Sequence, residues 1–255
     1  MDINRIVHIA ANAGRIILEN GGETYRAEET INRLCNSYDL IGSESYVTPT
    51  IIIVSASDNF GQTISIIKRI NNRDINLEKI AQINNLSRNI KKLGYSLEAI
   101  ETELSRIDSV KPYKLKYMVL ASAVAAGCLT LVFGGNLNDM IVSAITGGLM
   151  KLLLYYLSQF KANSFLMNIF GGFVATLIAL ICVNLNLATN LDKVIIGSLM
   201  LLVPGLAITN AIRDTIAGDL ISGITMAVEA FLIAIAVAVG SGIVFKIWFS
   251  FFGGF

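Results

Sequence analysis

The chain has 255 residues, of which 54% are hydrophobic and 15% charged. That is too apolar for an ordinary water-exposed domain. The near-neutral balance of 20 Lys/Arg and 19 Asp/Glu argues against nucleic acid as a partner.

The charge is unevenly spread. Residues 1–110 hold 12 Lys/Arg against 14 Asp/Glu, and residues 111–255 hold 8 against 5. A polar first part of domain size therefore precedes an apolar second part. The N-terminus has no apolar stretch, so no cleaved signal peptide is expected. Cys35, Cys128 and Cys182 are widely spaced without a CxxC pair, which predicts no disulfide framework.

In the first part, Ile3, Ile6, Val7, Ala10, Gly14, Ile17 and Leu18 recur at helical spacing and predict an amphipathic helix. Gly21-Gly22 ends it, because Gly accepts the left-handed conformation beyond a helix C-terminus. Thr24 is the expected cap of the next helix, with Glu28 and Glu29 in its early turns. Ala27, Ile31, Leu34, Cys35 and Tyr38 form its buried face. Residues 46–56 (YVTPTIIIVSA) are β-branched and nearly continuous in apolarity, so they read as a buried strand. Pro49 puts the start of that strand at a bulge or edge. Residues 57–61 make a turn, and residues 62–69 return as a second strand. Asn76 caps a third helix through Ile80, Ile83 and Ile90, which Gly94 stops. Ser96 caps a fourth, with Leu97, Ile100, Leu104 and Ile107 facing inward. The order helix-helix-strand-strand-helix-helix describes a small α+β domain over residues 1–110.

The junction Lys111-Pro112-Tyr113-Lys114-Leu115-Lys116-Tyr117 is basic and aromatic, as expected at a cytoplasmic membrane face. Five apolar segments follow, at about 115–133, 137–160, 165–187, 194–209 and 220–248, a five-helix transmembrane domain by length. The fourth is short and broken, and the fifth is long enough to tilt. Putting residues 1–110 inside leaves Lys111, Lys114, Lys116, Lys161 and Arg213 cytoplasmic, and only Lys193 and Lys246 near the outer face. That asymmetry predicts a cytoplasmic N-terminus and an outside C-terminus, with Trp248 as an outer interfacial anchor.

The chemistry concentrates in residues 201–230, LLVPGLAITNAIRDTIAGDLISGITMAVEA. Pro204 removes a helix hydrogen bond and Gly205 loosens the backbone. Such a break survives in lipid only where protein or a watery cavity satisfies the freed groups. Thr209, Asn210, Arg213, Asp214 and Asp219 follow as a polar patch, and the first four with Pro204 and Gly205 are the candidate substrate path. Arg213 suits a carboxylate because its fork matches two oxygens. Glu229 lies about nine residues past the start of the fifth span, roughly 13 Å deep. Lys151 lies near the middle of the second span. An intramembrane acid is a functional-site hypothesis by default, so Glu229, with Lys151, is the candidate for proton coupling. Asp139, Asp192 and Asp219 fall at segment ends and read as solvated caps. The glycines Gly147, Gly148, Gly171, Gly172, Gly197, Gly223 and Gly240 read as helix-packing sites.

The segments GGETYRAEETINRL and PGLAITNAIRDTIAGDLISGITMAVEA resemble the threonine/serine exporter family. The likeness is to its N-terminal-half type, bacterial inner-membrane proteins also linked to dicarboxylate (succinate) export. The P-G-x-x-x-T-N-A-I-R-D-x-x-x-G-D pattern carries it. The resemblance covers essentially the whole chain. It implies a secondary exporter of small polar or anionic metabolites in the plasma membrane. Fused members carry a second block of about five spans that this chain lacks. Split members work with a separate small membrane partner, so a five-span partner subunit is expected. Such a half would run inverted, as in transporters built from opposed repeats.

Two other readings stay open. A hydrolase would need Ser55 or Ser57 with Asp58 to recruit His8, the one histidine. There is no phosphate-binding G-x-x-x-x-G-K and no metal-ligand spacing, so neither cofactor nor metal is expected. Alternatively, the chain is a structural or regulatory membrane subunit whose first part controls a partner, with GGETYRAEET as the contact surface or gate.

Overall fold

In the computed structural model, which describes residues 2–160 and 162–253, the chain divides into two units. One contains the residues up to Pro112 together with Ile208–Ala227. The other contains Tyr113–Ala207 and the residues from Val228 onward. Segment 208–227, which sequence pattern assigned to the apolar second part, thus folds with the polar first part. Lys161, expected near the cytoplasmic face, lies outside the described residues.

The first unit starts with α1 (Ile3–Glu19), capped where the Asp2 carboxylate accepts from Arg5 N at 3.2 Å. Gly21 takes φ +86°, the left-handed turn that the Gly21-Gly22 pair allows. Helix α2 (Thr24–Ser37) follows, and here the sequence reading needs correction. Glu23 holds the cap position without a side-chain cap bond, and Thr24 is already the first helical residue, fully buried. Its hydroxyl is turned away from the cap role that its residue type suggested.

The sheet has three antiparallel strands in the order β1-β2-β3, not two: β1 (Ile41–Thr48), β2 (Ile51–Ser57) and β3 (Thr63–Arg69). Pro49-Thr50 is the turn between β1 and β2, rather than a bulge at the start of one long strand. Proline supplies no ladder donor and fixes φ, so the chain reverses there. Thr48 Oγ1 holds the turn by accepting from Ile51 N at 3.2 Å. Strand β1 lacks a strand's apolar signature because Gly42, Ser43 and Glu44 are polar and lie at the sheet edge, where few side chains are buried.

One sheet face carries Ile52, Val54 and Ala56 into the core against Ile6, Ile16 and Ile17 of α1 and Ile31 of α2. Helices α3 (Leu77–Leu93) and α4 (Leu97–Asp108) are capped as expected, Asn76 accepting from Lys79 N and Ser96 from Ala99 N. Gly94 ends α3 at φ +58°. Ile83, Ile90, Ile100, Leu104 and Ile107 complete the same core. Two arginines bind α1 to α4: Arg5 Nη2 donates to Glu101 at 2.7 Å, and Arg15 Nη2 to Asp108 at 2.6 Å.

The second unit is helical: α5 (Leu115–Val132), α6 (Leu137–Gln159), α7 (Ser164–Asn184), α8 (Leu191–Leu199), the start of α9 (Gly205–Ala217) and most of α10 (Leu220–Phe252). Four described helices (α5, α6, α7 and α10) are long and apolar enough to cross a membrane, rather than five. The expected fourth span is two short helices. At 1.5 Å per residue, α8 covers about half of a bilayer core. Residues 200–204 are non-helical, because Pro204 has no N–H to give and its ring collides with the carbonyl four residues back.

Small residues let these helices close on one another. A Cβ on Gly172 would stand 2.5 Å from the Val237 carbonyl oxygen, and one on Gly147 2.8 Å from that of Ser122. The α7–α10 and α5–α6 pairs therefore meet backbone to backbone. Asp139, expected as a solvated cap, is instead fully buried at the start of α6. It accepts from Asn136 N, Thr189 N, Asn190 N and Asn190 Nδ2 at 2.8–3.1 Å. Asp192 is exposed beside Lys193, as expected. Trp248 is buried against Leu180 and Val244 within this unit.

Candidate functional site

The two segments that carry the family resemblance lie some 190 residues apart in sequence, and they meet in the first unit. Helix α9 ends on Ala217, and Gly218 at φ +98° reverses the chain. Gly218 N donates to Thr215 O, and Asp219 N to Asp214 O at 2.9 Å, the paired bonds of a Schellman ending. The turn starts α10 at once, with Gly223 N donating to Asp219 O. Gly223 has no Cβ, and α10 uses the space: a Cβ there would lie 3.0 Å from Ala211 O.

This α9–α10 hairpin is bonded to the start of α2 and to β1. Asn210 Nδ2 donates to Gly21 O at 3.4 Å, and Ser222 Oγ to Val47 O at 3.4 Å. Arg213 pairs with Glu23, which also accepts from Arg26 Nε at 2.6 Å. Glu28 Oε1 accepts from Val47 N at 3.0 Å. Gly-Gly-Glu-Thr therefore packs against Thr-Asn-Ala-Ile-Arg-Asp, and the hairpin joins polar α9 to the first turns of the apolar helix α10.

The electrostatics are uneven. Burial pushes the Glu23 carboxyl up, but the hydrogen bond from Arg26, its own backbone N–H and the charges of Arg26 and Arg213 outweigh this and hold it below the usual carboxylate range. Asp214 goes the other way. It is fully buried, and burial pushes its carboxyl up, with Asp219 and Glu23 adding to the push. The Thr24 hydroxyl opposes it, by less than burial but by more than either acid adds, and Arg213 opposes it least. Thr24 Oγ1 is near enough to act on the charge but falls short of hydrogen-bond geometry. Among the described residues, neither Asp214 oxygen nor Thr24 Oγ1 has a hydrogen-bond partner. Glu28 is raised too, by burial first and then by Asp219 and Asp214.

The candidate residues from the sequence thus fall into two sets. Asn210, Arg213 and Asp214 are brought together against α2, with Thr209 exposed on the same helix. Pro204 and Gly205 mark the interruption before α9, and Glu229 and Lys151 are each half-buried on α10 and α6 of the second unit. Glu23, Thr24, Glu28 and Asp219 were not singled out as site residues. The sequence signal for Glu23, Thr24 and Glu28 was the charged G-G-E-T-Y-R-A-E-E-T run, and for Asp219 the Gly-Asp that closes the second motif; no spacing rule reveals how the two pair. The hydrolase set is not assembled. Ser55 Oγ accepts from Ser65 Oγ at 2.9 Å and Ser57 shares a bond with Thr63, while Asp58 accepts from Phe60 N and Gln62 N as a turn residue. His8 is exposed on α1.

The model of the threonine/serine exporter family matches residues 8–248. The chain belongs to that family. Among curated relatives of this exporter-family chain, "Probable succinate transporter subunit YjjP" of Escherichia coli is 20% identical over 95% of this chain and 94% of its own length. The "Threonine/serine exporter" of Corynebacterium glutamicum is 22% identical over 93% of this chain and 50% of its own length. The "Probable threonine/serine exporter" of Mycobacterium tuberculosis is 20% identical over 92% and 45%. The chain thus spans nearly the whole of the first relative and about half of the other two. No solved structure matches it. The family and the apolar helices together make this a multi-pass membrane protein of a transporter family.

Proposed function

We propose that the chain is one subunit of a secondary transporter that exports small polar metabolites. The substrates are amino acids of the threonine/serine kind or dicarboxylates such as succinate, the two classes named for its relatives. It sits in the bacterial inner membrane with its N-terminus cytoplasmic and its C-terminus outside. It works with a separate five-span partner, in keeping with the relative it matches over 94% of that protein's length, which is named as a subunit.

The observation that carries this reading is the interruption at residues 200–204 between α8 and α9. Backbone freed from helical bonding at membrane depth is tolerated only beside protein or water, and transporters place their substrates at such breaks. In this reading α8 and the start of α9 form one interrupted crossing, which keeps five crossings. Thr209, Asn210 and Arg213 lie just beyond the break, where a substrate carboxylate or hydroxyl would pass. Glu229, half-buried in apolar α10, carries the coupling proton, with Lys151 as a second intramembrane charge.

The test is efflux of threonine, serine and succinate from cells expressing this chain, a five-span partner, or both. Export should need both, and Glu229→Gln should abolish it or uncouple it from the proton gradient. Full export by the partner alone would make this chain regulatory instead. Full, still proton-dependent efflux from Glu229→Gln would remove Glu229 from the mechanism.

A further inference from the structure

The Asp214 carboxyl has a task that lining a substrate path does not explain. It is fully buried, and both oxygens lack partners among the described residues. The hydroxyl it faces, Thr24 Oγ1, is also fully buried and also unpartnered. Three orphaned polar atoms in one place are unusual in a native fold and ask for a missing hydrogen or ligand. The charged groups around Asp214 sharpen this. At the start of α2 stand Glu23, Arg26 and Glu28, on α9 Arg213, and in the turn Asp219, while Glu28 is itself bonded by Val47 N of β1. Arg213, one residue away, is turned to Glu23, and Arg26 is as well. Asp214, Glu28 and Asp219 are therefore three carboxyls with both nearby cations already engaged by Glu23.

We propose that Asp214 is a proton-binding site, its carboxyl held neutral where the α9–α10 turn packs on the start of α2. The proton comes from water and returns to it. When it leaves, a charged carboxylate is left buried among other acids with the Thr24 hydroxyl as its one neighbouring donor, and the turn must loosen or hydrate. The direction of the shift at Asp214, upward through burial, agrees with this. A metal ion fits less well, because no group of three His, Cys, Asp or Glu among the described residues is arranged to hold one. The inference stands apart from the transport reading, since a proton site of this kind needs no substrate.

The measurement is infrared spectroscopy of the full-length protein in lipid, stepping pH at constant ionic strength in sodium and in choline chloride. A protonated-carboxyl C=O band should titrate above the ordinary aspartate range, identically in both salts. Asp214→Asn should lose that band, and Glu229→Gln should keep it. Glu28→Gln, which removes one neighbouring charge and leaves Asp214, should lower the midpoint by at least half a pH unit; it decides the matter if Asp214→Asn fails to fold. A band unchanged in Asp214→Asn, or a midpoint unmoved in Glu28→Gln, overturns the proposal. So does a band that sodium abolishes, which would make this a sodium site.

Discussion

Gly223→Ala tests whether the α9–α10 hairpin is as tightly closed as it looks. The new Cβ would collide with Thr215 Oγ1 and stand 3.0 Å from Ala211 O, so α10 must retreat by a few tenths of an ångström. Thr215 Oγ1 now donates to Ala211 O at 2.7 Å and would have to rotate away, losing a bond worth about 1 kcal/mol. Overpacking adds about 1–3 kcal/mol. Replacing a helical Gly by Ala returns about 1 kcal/mol of propensity. The net cost is about 1–3 kcal/mol, or a few degrees in the apparent thermal midpoint. The assay is thermal unfolding of the full chain in one detergent, followed by intrinsic fluorescence. Gly242→Ala is the control, because it lies on the same helix and its Cβ would meet nothing within 4 Å. It should be neutral or slightly stabilising. Thr215→Ala/Gly223→Ala should recover the part due to the hydroxyl. Equal midpoints for Gly223→Ala and Gly242→Ala would refute the close approach.

Asp139→Asn places an amide among four N–H donors at the start of α6. It should cost about 1–3 kcal/mol and lower the monodisperse fraction on size-exclusion chromatography. Glu23→Gln and Arg213→Gln should be non-additive in the same unfolding assay. Their coupling should stay below about 1 kcal/mol, since the Arg213 side chain is 47% exposed. Stability against pH should show two opposed slopes. Glu23 is held low, so its contribution is complete above the usual carboxylate range and is lost as pH falls through its depressed value. Asp214 and Glu28 are raised, so stability falls as pH climbs from that range through their raised values, then levels off. Asp214→Asn should flatten the upper slope and leave the lower one, as read from thermal midpoints across pH 4–9 (about the span of carboxyl titration).

Local structure was legible wherever short-range chemistry decides it. Asn76, Gly94 and Ser96 mark their helix ends because capping depends on a side chain and its own next turn. The Gly21-Gly22 stop and the interruption at Pro204 are legible for the same reason. Errors arose where context overrode type. Thr24 is a good cap by composition, yet the hairpin packed on α2 buries it one position inside the helix. Strand β1 has a polar start because it is an edge, and pattern rules expect a strand's apolar face. Asp139 looked solvated because a segment end usually is. The loop before α8 instead folds back over it and spends three N–H donors there.

The site was half legible, and the missing half is instructive. Rarity of charge in an apolar stretch drew attention to Arg213, Asp214 and Glu229, since lipid makes each such residue expensive. That logic assumes the residues lie in the span. Arg213 and Asp214 precede the span that starts at Leu220 and pack in the polar unit, where Arg213 answers Glu23 and Asp214 lies near Thr24. The right question there is which buried group lacks a partner. By that criterion Asp139 and Asp214 separate cleanly. Both are fully buried acids in helices, but Asp139 is saturated by donors and Asp214 has none among the described residues. The first is explained by the structure it holds together. The second is not, and a carboxyl left unsatisfied at the junction of the two most distinctive sequence motifs is the place where a bound proton is to be sought.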